Sequence, residues 1–422
     1  MKGKKALLSV YDKTDIVKLA SELVSMGWEL LSSSGTADRI REAGLPVAEV
    51  SDVTGYPSIL GGRVKTLHPL IFGGILARRD LPEDRDESQQ YKIPLIDMIV
   101  CNLYPFEETA RTSQDLDELI ENIDIGGVSL LRAAAKNYRH VTVLTDPGDY
   151  EEAISELRAG GDISLPKRER FALKAFSMTA SYDSAIVDGL GDATGHALPL
   201  FPEKMPLGLT KKQDLRYGEN PHQQAGLYLP PLAEVPWEQL SGKPLSYNNL
   251  LDVDCAMRGC ELLGDSRGAI VIKHATPSGM ACGETQAEAY EKAVACDPVS
   301  AFGGVVGISQ RVDMETALAI SKLFTEAVVA PEFDEDALGF LQQNRPSLRL
   351  LRWNGGRASA LQFTGTRSGV LVQEDSLPPL PDPHRGEWIG SPRPDLWDDL
   401  MLAWKAAALS KSNAISMVKD LE

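Results

Sequence analysis

Lys273 and His274 close the apolar run Ala269-Ile270-Val271-Ile272 and precede Ala275-Thr276-Pro277-Ser278-Gly279. Such a run reads as a buried strand, so a cation and an imidazole emerge side by side at its carboxyl end. Open α/β sheets bind ligands at that edge. The Lys273 ammonium penalises a second positive charge, so His274 is expected to stay neutral and able to accept a proton near neutral pH. Alone, a strand-end Lys-His pair is more often a surface feature than a catalytic one.

Several other segments could hold an anion. Ser32-Ser33-Ser34-Gly35-Thr36 lies between an expected strand and a helix start, where hydroxyls, free N–H groups and the helix dipole favour a phosphate. No G-K-[ST] follows, so it is not a Walker loop, and an N-cap with a turn fits equally. Gly61-Gly62-Arg63-Val64-Lys65-Thr66-Leu67-His68-Pro69 sets two cations and a hydroxyl in a glycine-preceded loop, which suits an oxyanion or phosphate as well as a solvated turn. Asn102-Leu103-Tyr104-Pro105-Phe106 follows an apolar strand, so Tyr104 is expected at its carboxyl end. Asp124-Ile125-Gly126-Gly127 precedes an expected helix over 129–136, and its glycines bare backbone donors near that helix start. Asp124 also fits a plain N-terminal cap, and Lys136, near the far end, a cation on the helix dipole. In the second half, residues 215–223 include Arg216, Tyr217 and His222, groups that bind anions and aromatic rings or simply make a turn. Residues 300–304, with Phe302 and Gly303, read as a close backbone approach before a strand, and Asn413 as a late-strand polar group.

The elements that must position these groups alternate. Strands are expected at 6–10, 28–31, 47–50, 94–103 and 141–144, with helices at 15–26 and 37–43. That order predicts a parallel sheet covered on both faces, an α/β class. A proline-rich passage at 198–206 is the expected linker. Beyond it, helices are expected at 251–263, 284–295 and 314–325 and strands at 269–272, 304–308 and 328–330. Residues 344–394 read as a long irregular connection, followed by a helix over 395–409 and an incipient strand over 410–415.

A length of 422 residues allows about three domains. The net charge of −17 disfavours sequence-independent binding to nucleic acid or anionic membranes, but leaves room for a small anionic substrate on a local basic cluster. No apolar run approaches the ~18 residues of a spanning helix, and the basic start is followed by too short an apolar stretch for a secretory signal. Five cysteines in mostly apolar settings read as reduced core residues of a cytosolic protein. No C-x-x-C or H-x-E signature accompanies them, so no metal site is expected.

Taken together and in order, several segments resemble the bifunctional AICAR transformylase/IMP cyclohydrolase family of purine biosynthesis. They are Ser9-Val10-Tyr11-Asp12-Lys13-Thr14, Ser34-Gly35-Thr36, 61–69, 102–106, 124–137, 215–223, 273–279, 301–304 and 411–415. The resemblance spans essentially the whole chain. It implies a methylglyoxal-synthase-like parallel-sheet domain over 1–197 that closes FAICAR to IMP with loss of water. It further implies cytidine-deaminase-like α/β subdomains over 207–370 and 385–422, which move a formyl group from the co-substrate 10-formyltetrahydrofolate to AICAR. A cytoplasmic homodimer, transformylase sites at the subunit interface and no catalytic metal belong to the same expectation, with neither nucleic acid nor membrane as partner.

Carried over residue by residue, the resemblance assigns ring closure to Lys65, Thr66, Tyr104, Asp124 and Lys136. Asp124 with Lys136 would remove the carboxamide proton, and Tyr104 with Lys65 would stabilise the formyl oxygen. Lys13, Ser34, Gly35, Thr36 and Arg63 would hold the nucleotide and its phosphate, with Asn102, Gly126 and Gly127 alongside. For transfer, His274 would be the base and Lys273 the cation facing the oxyanion. Arg216, Tyr217, His222, Phe302 and Gly303 would bind substrate, and Asn413 would assist near the formyl group. The sequence departs from the family at Tyr11, usually Ser, at Phe72, often His, and at Trp404-Lys405, usually a Lys-His pair. Family members run on well past Asn413, so the last subdomain is expected to be incomplete. A cyclohydrolase that has lost transfer, and a nucleotide-binding regulatory module, are the alternative readings.

Overall fold

The computed structural model describes residues 3–381 and 393–422, apart from the side chain of Ser34. The chain divides into two compact units, Met1–Leu209 and Thr210–Glu422. Among the described residues no helix is long and apolar enough to cross a membrane.

The first unit is built on a five-stranded parallel sheet: β1 (Lys5–Ser9), β2 (Glu29–Ser32), β3 (Ala48–Glu49), β4 (Met98–Cys101) and β5 (Thr142–Leu144), in the order β3-β2-β1-β4-β5. Leu7, Leu8, Ile99 and Val100 are fully buried, as parallel strands covered on both faces require. The helix Ile16–Ser25 buries Ile16, Leu19, Ala20 and Leu23, the spacing that marks it in the sequence. Several boundaries differ from expectation. The strand at 94–103 shrinks to β4, the strand at 47–50 gives way to a helix from Val50, and Ser34 already opens the helix Ser34–Glu42.

The helix Leu165–Thr194 carries no comparable sequence signal. Its buried stripe of Phe171, Ala172, Ala175, Thr179, Tyr182, Ala185 and Gly189 has helical spacing, but it is made mostly of small and polar residues. It packs on the helix Gly126–Lys136.

The second unit begins with a hairpin, β6 (Thr210–Leu215) and β7 (Ala225–Leu229). Its core is a six-stranded mixed sheet of β8 (Trp237–Ser241), β9 (Gly268–Ile272), β10 (Pro277–Cys282), β11 (Gly304–Ile308), β12 (Thr325–Ala330) and β13 (Arg349–Trp353). The order is β10-β9-β11-β12-β13-β8, with β11, β12 and β13 parallel. Alternation along β9 splits the core. Ala269 and Val271 face the helices Gln286–Cys296, Met314–Ser321 and Glu335–Asn344, while Ile270 and Ile272 face Tyr247–Leu263 and Trp397–Leu409.

Two expectations are corrected here. Residues 344–394 are not one irregular connection: they supply β13 and a hairpin of β14 (Leu361–Thr366) and β15 (Gly369–Glu374). Residues 410–415 form no strand, because they fold back beside the preceding helix, with Ser416 Oγ donating to Ala403 O at 2.6 Å.

Candidate functional sites

The first unit holds a cavity of about 720 Å³ at the carboxyl ends of β1, β2 and β4, where the strand order reverses. Two residues build its rim. The Asn102 carboxamide accepts from the N–H groups of Tyr11 (2.6 Å) and Asp12 (3.0 Å) and donates to Asp12 O (2.9 Å). The buried Thr36 hydroxyl accepts from Val10 N (3.2 Å) and donates to Val10 O (3.0 Å). Both side chains therefore shape the loop after β1 rather than project a free group into the cavity.

That loop brings Lys13 to Gly35, where a Cβ would meet the lysine Cε at 3.9 Å. Among the described side chains none caps the helix Ser34–Glu42, so its first N–H groups and the Lys13 ammonium, which donates to Tyr11 O at 3.2 Å, are groups that could hold an anion. The backbone of Ser34 opens this helix, while its side chain lies outside the described residues.

Opposite stand the groups suited to proton transfer. Lys65 folds back over Gly62, whose φ of 97° and missing Cβ admit it; a methyl there would stand 2.7 Å from the lysine Cε. Thr66 is buried against Gly126, and Arg63 pairs with Glu121. The half-buried carboxylate of Asp124 accepts from Gly127 N at 2.6 Å. Burial raises its pKa, against the opposing pull of hydrogen bonds from the Gly127, Tyr104 and Gly126 backbone. Tyr104 is 41% exposed, with its ring edge-on to Tyr11 at 5.8 Å. Burial, and then the Asp124 charge, raise its phenol pKa, so it remains a donor.

Lys136 does not join them. It is exposed at the far end of Gly126–Lys136, ten residues and roughly 15 Å of helix axis from Gly126, and does not line the cavity. The expected pairing of Lys136 with Asp124 and Tyr104 is therefore corrected: the length of the helix separates them, and Lys136 sits where a cation favours the dipole.

The second unit holds a cavity of about 600 Å³ beside the β9–β10 turn. Lys273 and Thr276 exchange backbone hydrogen bonds across His274 and Ala275, whose φ values are 55° and 53°. This is a two-residue turn with both central residues left-handed, the type that suits a twisted hairpin. It leaves His274 exposed at the cavity wall. Lys273 Nζ donates to Phe302 O (2.8 Å) and Gly303 O (3.1 Å), so one of its three N–H donors stays available. The Arg216 guanidinium lies over the Tyr217 ring at 4.7 Å and donates to its hydroxyl at 2.9 Å; both residues line the cavity.

Phe302 contributes its carbonyl, while its ring is exposed beside Phe324 at 5.3 Å. His222 and Asn413 are exposed and do not line this cavity. For Asn413 the reason is the missing strand at 410–415; its amide oxygen accepts from Ser412 Oγ at 2.9 Å.

Sequence reasoning missed several wall residues. Asp252 accepts from Ala275 N at 2.6 Å and so holds the His274 turn. Burial raises its pKa, opposed by that hydrogen bond and by the charges of His274 and Lys273. Glu326 faces the same cavity, fixed by the buried Arg349 at 2.5 Å; Lys243 and Arg345 also line it. Asn249 and Asp252, three apart near the start of an expected helix, and Arg349 inside an apolar run were the available signals.

The family model for the AICARFT/IMPCHase bienzyme matches residues 134–422, and that for the MGS-like domain residues 15–129. The bifunctional purine biosynthesis protein PurH of Persephonella marina (strain DSM 14350 / EX-H1) is 44% identical over 425 residues, covering 99% of this chain and 82% of the relative. A solved structure described as "Crystal structure of ForH" is 38% identical, covering 46% of this chain and 98% of its own, with a TM-score of 0.41. The chain belongs to the AICARFT/IMPCHase bienzyme family of purine biosynthesis, carrying AICAR formyltransferase and IMP cyclohydrolase activities.

Proposed function

We infer that the first cavity carries out ring closure and the second formyl transfer, the latter with 10-formyltetrahydrofolate as co-substrate. In closure, the carboxamide nitrogen of FAICAR attacks the formyl carbon, and the formyl oxygen leaves as water. Asp124 takes the nitrogen proton, Lys65 and Tyr104 donate to the oxygen, and Lys13 with the helix N-terminus at Gly35 holds the phosphate. In transfer, the amine of AICAR attacks the formyl carbon of the folate. His274 takes the amine proton, the remaining Lys273 donor faces the tetrahedral oxyanion, and reduced folate leaves. Arg216 and Tyr217 hold the ribotide. The observation that carries this reading is that Asp124, Lys65 and Tyr104 line one cavity while His274 and Lys273 line another.

The two half-reactions separate experimentally. FAICAR consumption without folate, and AICAR formylation with 10-formyltetrahydrofolate, are both expected from the purified chain. Closure alone would mean that transfer has been lost. Ribotide binding with neither turnover would make the chain a regulatory module.

Gly62→Ala tests the placement of Lys65. The methyl collides with the lysine stem at a backbone angle that L-residues rarely adopt. The kcat for closure is expected to fall roughly 10- to 100-fold through displacement of one donor. Formylation by the same preparation should be unchanged; an unaltered closure rate would show that closure does not depend on Lys65 lying over Gly62.

A further inference from the structure

Asp124 is the closing group of a short loop, and the loop is held from outside the sheet. Tyr182, on the helix Leu165–Thr194, is 6% exposed. Its hydroxyl accepts from Asp124 N at 2.9 Å and donates to Asn122 O at 2.9 Å. One phenol thus satisfies a donor and an acceptor two residues apart, which fixes the peptide planes on either side of Ile123. The carboxylate is then fixed by Gly127 N at 2.6 Å. The ring itself is seated edge-on against Phe106 at 6.3 Å, in a cluster completed by Leu119 and Ala185. Burial pushes the phenol pKa up to about 12, so the hydroxyl keeps the proton it donates.

We propose that Tyr182 is a positioning residue for ring closure, clamping the 122–124 loop so that the Asp124 carboxylate meets the substrate nitrogen in a fixed, water-poor geometry. This rests on the reading of Asp124 as the base. A phenol serves where an aliphatic residue would not, because its hydroxyl can accept from Asp124 N while donating to Asn122 O. The titratable groups around the carboxylate are Tyr104 and Cys101 from the end of β4 and Tyr182 itself. Lys65 and Arg63 line the same cavity, and burial is the largest influence on the carboxylate, raising its pKa against the backbone hydrogen bonds from Gly127, Tyr104 and Gly126.

Tyr182→Phe keeps the ring and deletes both hydrogen bonds. The kcat for FAICAR closure is expected to fall roughly 10- to 100-fold, the loss typical of a displaced reacting group, with KM for FAICAR little changed. Loosening the loop admits water, so the acid limb of kcat/KM should move to lower pH. Leu119→Val trims the same apolar cluster without touching either hydrogen bond. It should lower the melting temperature while leaving kcat and the pH limb in place. In an Asp124→Asn background, Tyr182→Phe should cost nothing further. If Asp124→Asn is itself harmless, the base assignment fails and takes the clamp with it. If Asp124→Asn is inactive but Tyr182→Phe matches wild type, or if Leu119→Val slows closure equally, the clamp alone is overturned.

Discussion

Asp124→Asn should lower kcat for FAICAR closure by about 10²- to 10⁴-fold, the range lost with a positioned general base, while AICAR formylation continues. The substitution suits the question because the asparagine oxygen can still accept from Gly127 N, so the loop keeps its local bond while the proton acceptor disappears. The pH dependence has a definite sign. Burial raises the Asp124 pKa above the ordinary carboxylate value of 3.8, so wild-type kcat/KM should climb with pH through a limb lying above that value. The variant should lack that limb.

Stability runs the other way. With its folded-state pKa raised, ionised Asp124 opposes folding. Its favourable contribution is fully present below pH 3.8 and is lost as pH rises through the folded pKa. Asp124→Asn should therefore melt no lower than wild type near neutral pH, and the difference should close in acid. Calorimetry across that range, beside stopped-flow closure rates, checks both halves. A variant retaining a tenth of wild-type turnover would dismiss Asp124 as the base.

Why some of this is legible in the sequence and some is not comes down to length scale. The buried face of Ile16, Leu19, Ala20 and Leu23 and the strand before Lys273 are local patterns, set by large apolar side chains at fixed periods. The stripe on Leu165–Thr194 has the same period, but Ala175, Thr179 and Gly189 carry little hydrophobic contrast, so the helix that supplies Tyr182 stays hidden. Arg349 disguises β13: a charge in a strand reads as a surface position until Glu326 and two backbone carbonyls are seen around it. Lys136 shows the opposite error. Its motif is intact, yet helical rise alone carries it away from Asp124. Motifs identify groups, while the rise and twist of the intervening elements decide which of them meet.

His274 concentrates that lesson, because both its chemistry and its backbone are needed. At a φ of 55°, beside Ala275 at 53°, it sits where a non-glycine residue costs roughly 1 kcal/mol or more, and the turn persists because Asp252 and the Lys273–Thr276 pair hold it. His274→Asn is the informative replacement, since asparagine tolerates the left-handed conformation and leaves the turn intact. Formyl transfer should then fall about 10²- to 10⁴-fold from loss of the base alone, with ring closure untouched. Asp252→Ala frees the Ala275 N–H and removes the only carboxylate bound to the turn among the described residues. Transfer should fall roughly 10-fold, because the imidazole is still present but no longer fixed. The ordering is the test: His274→Asn must be the more damaging, and combining it with Asp252→Ala should add little. If the two losses multiply instead, Asp252 acts on the substrate in its own right and not through the histidine turn.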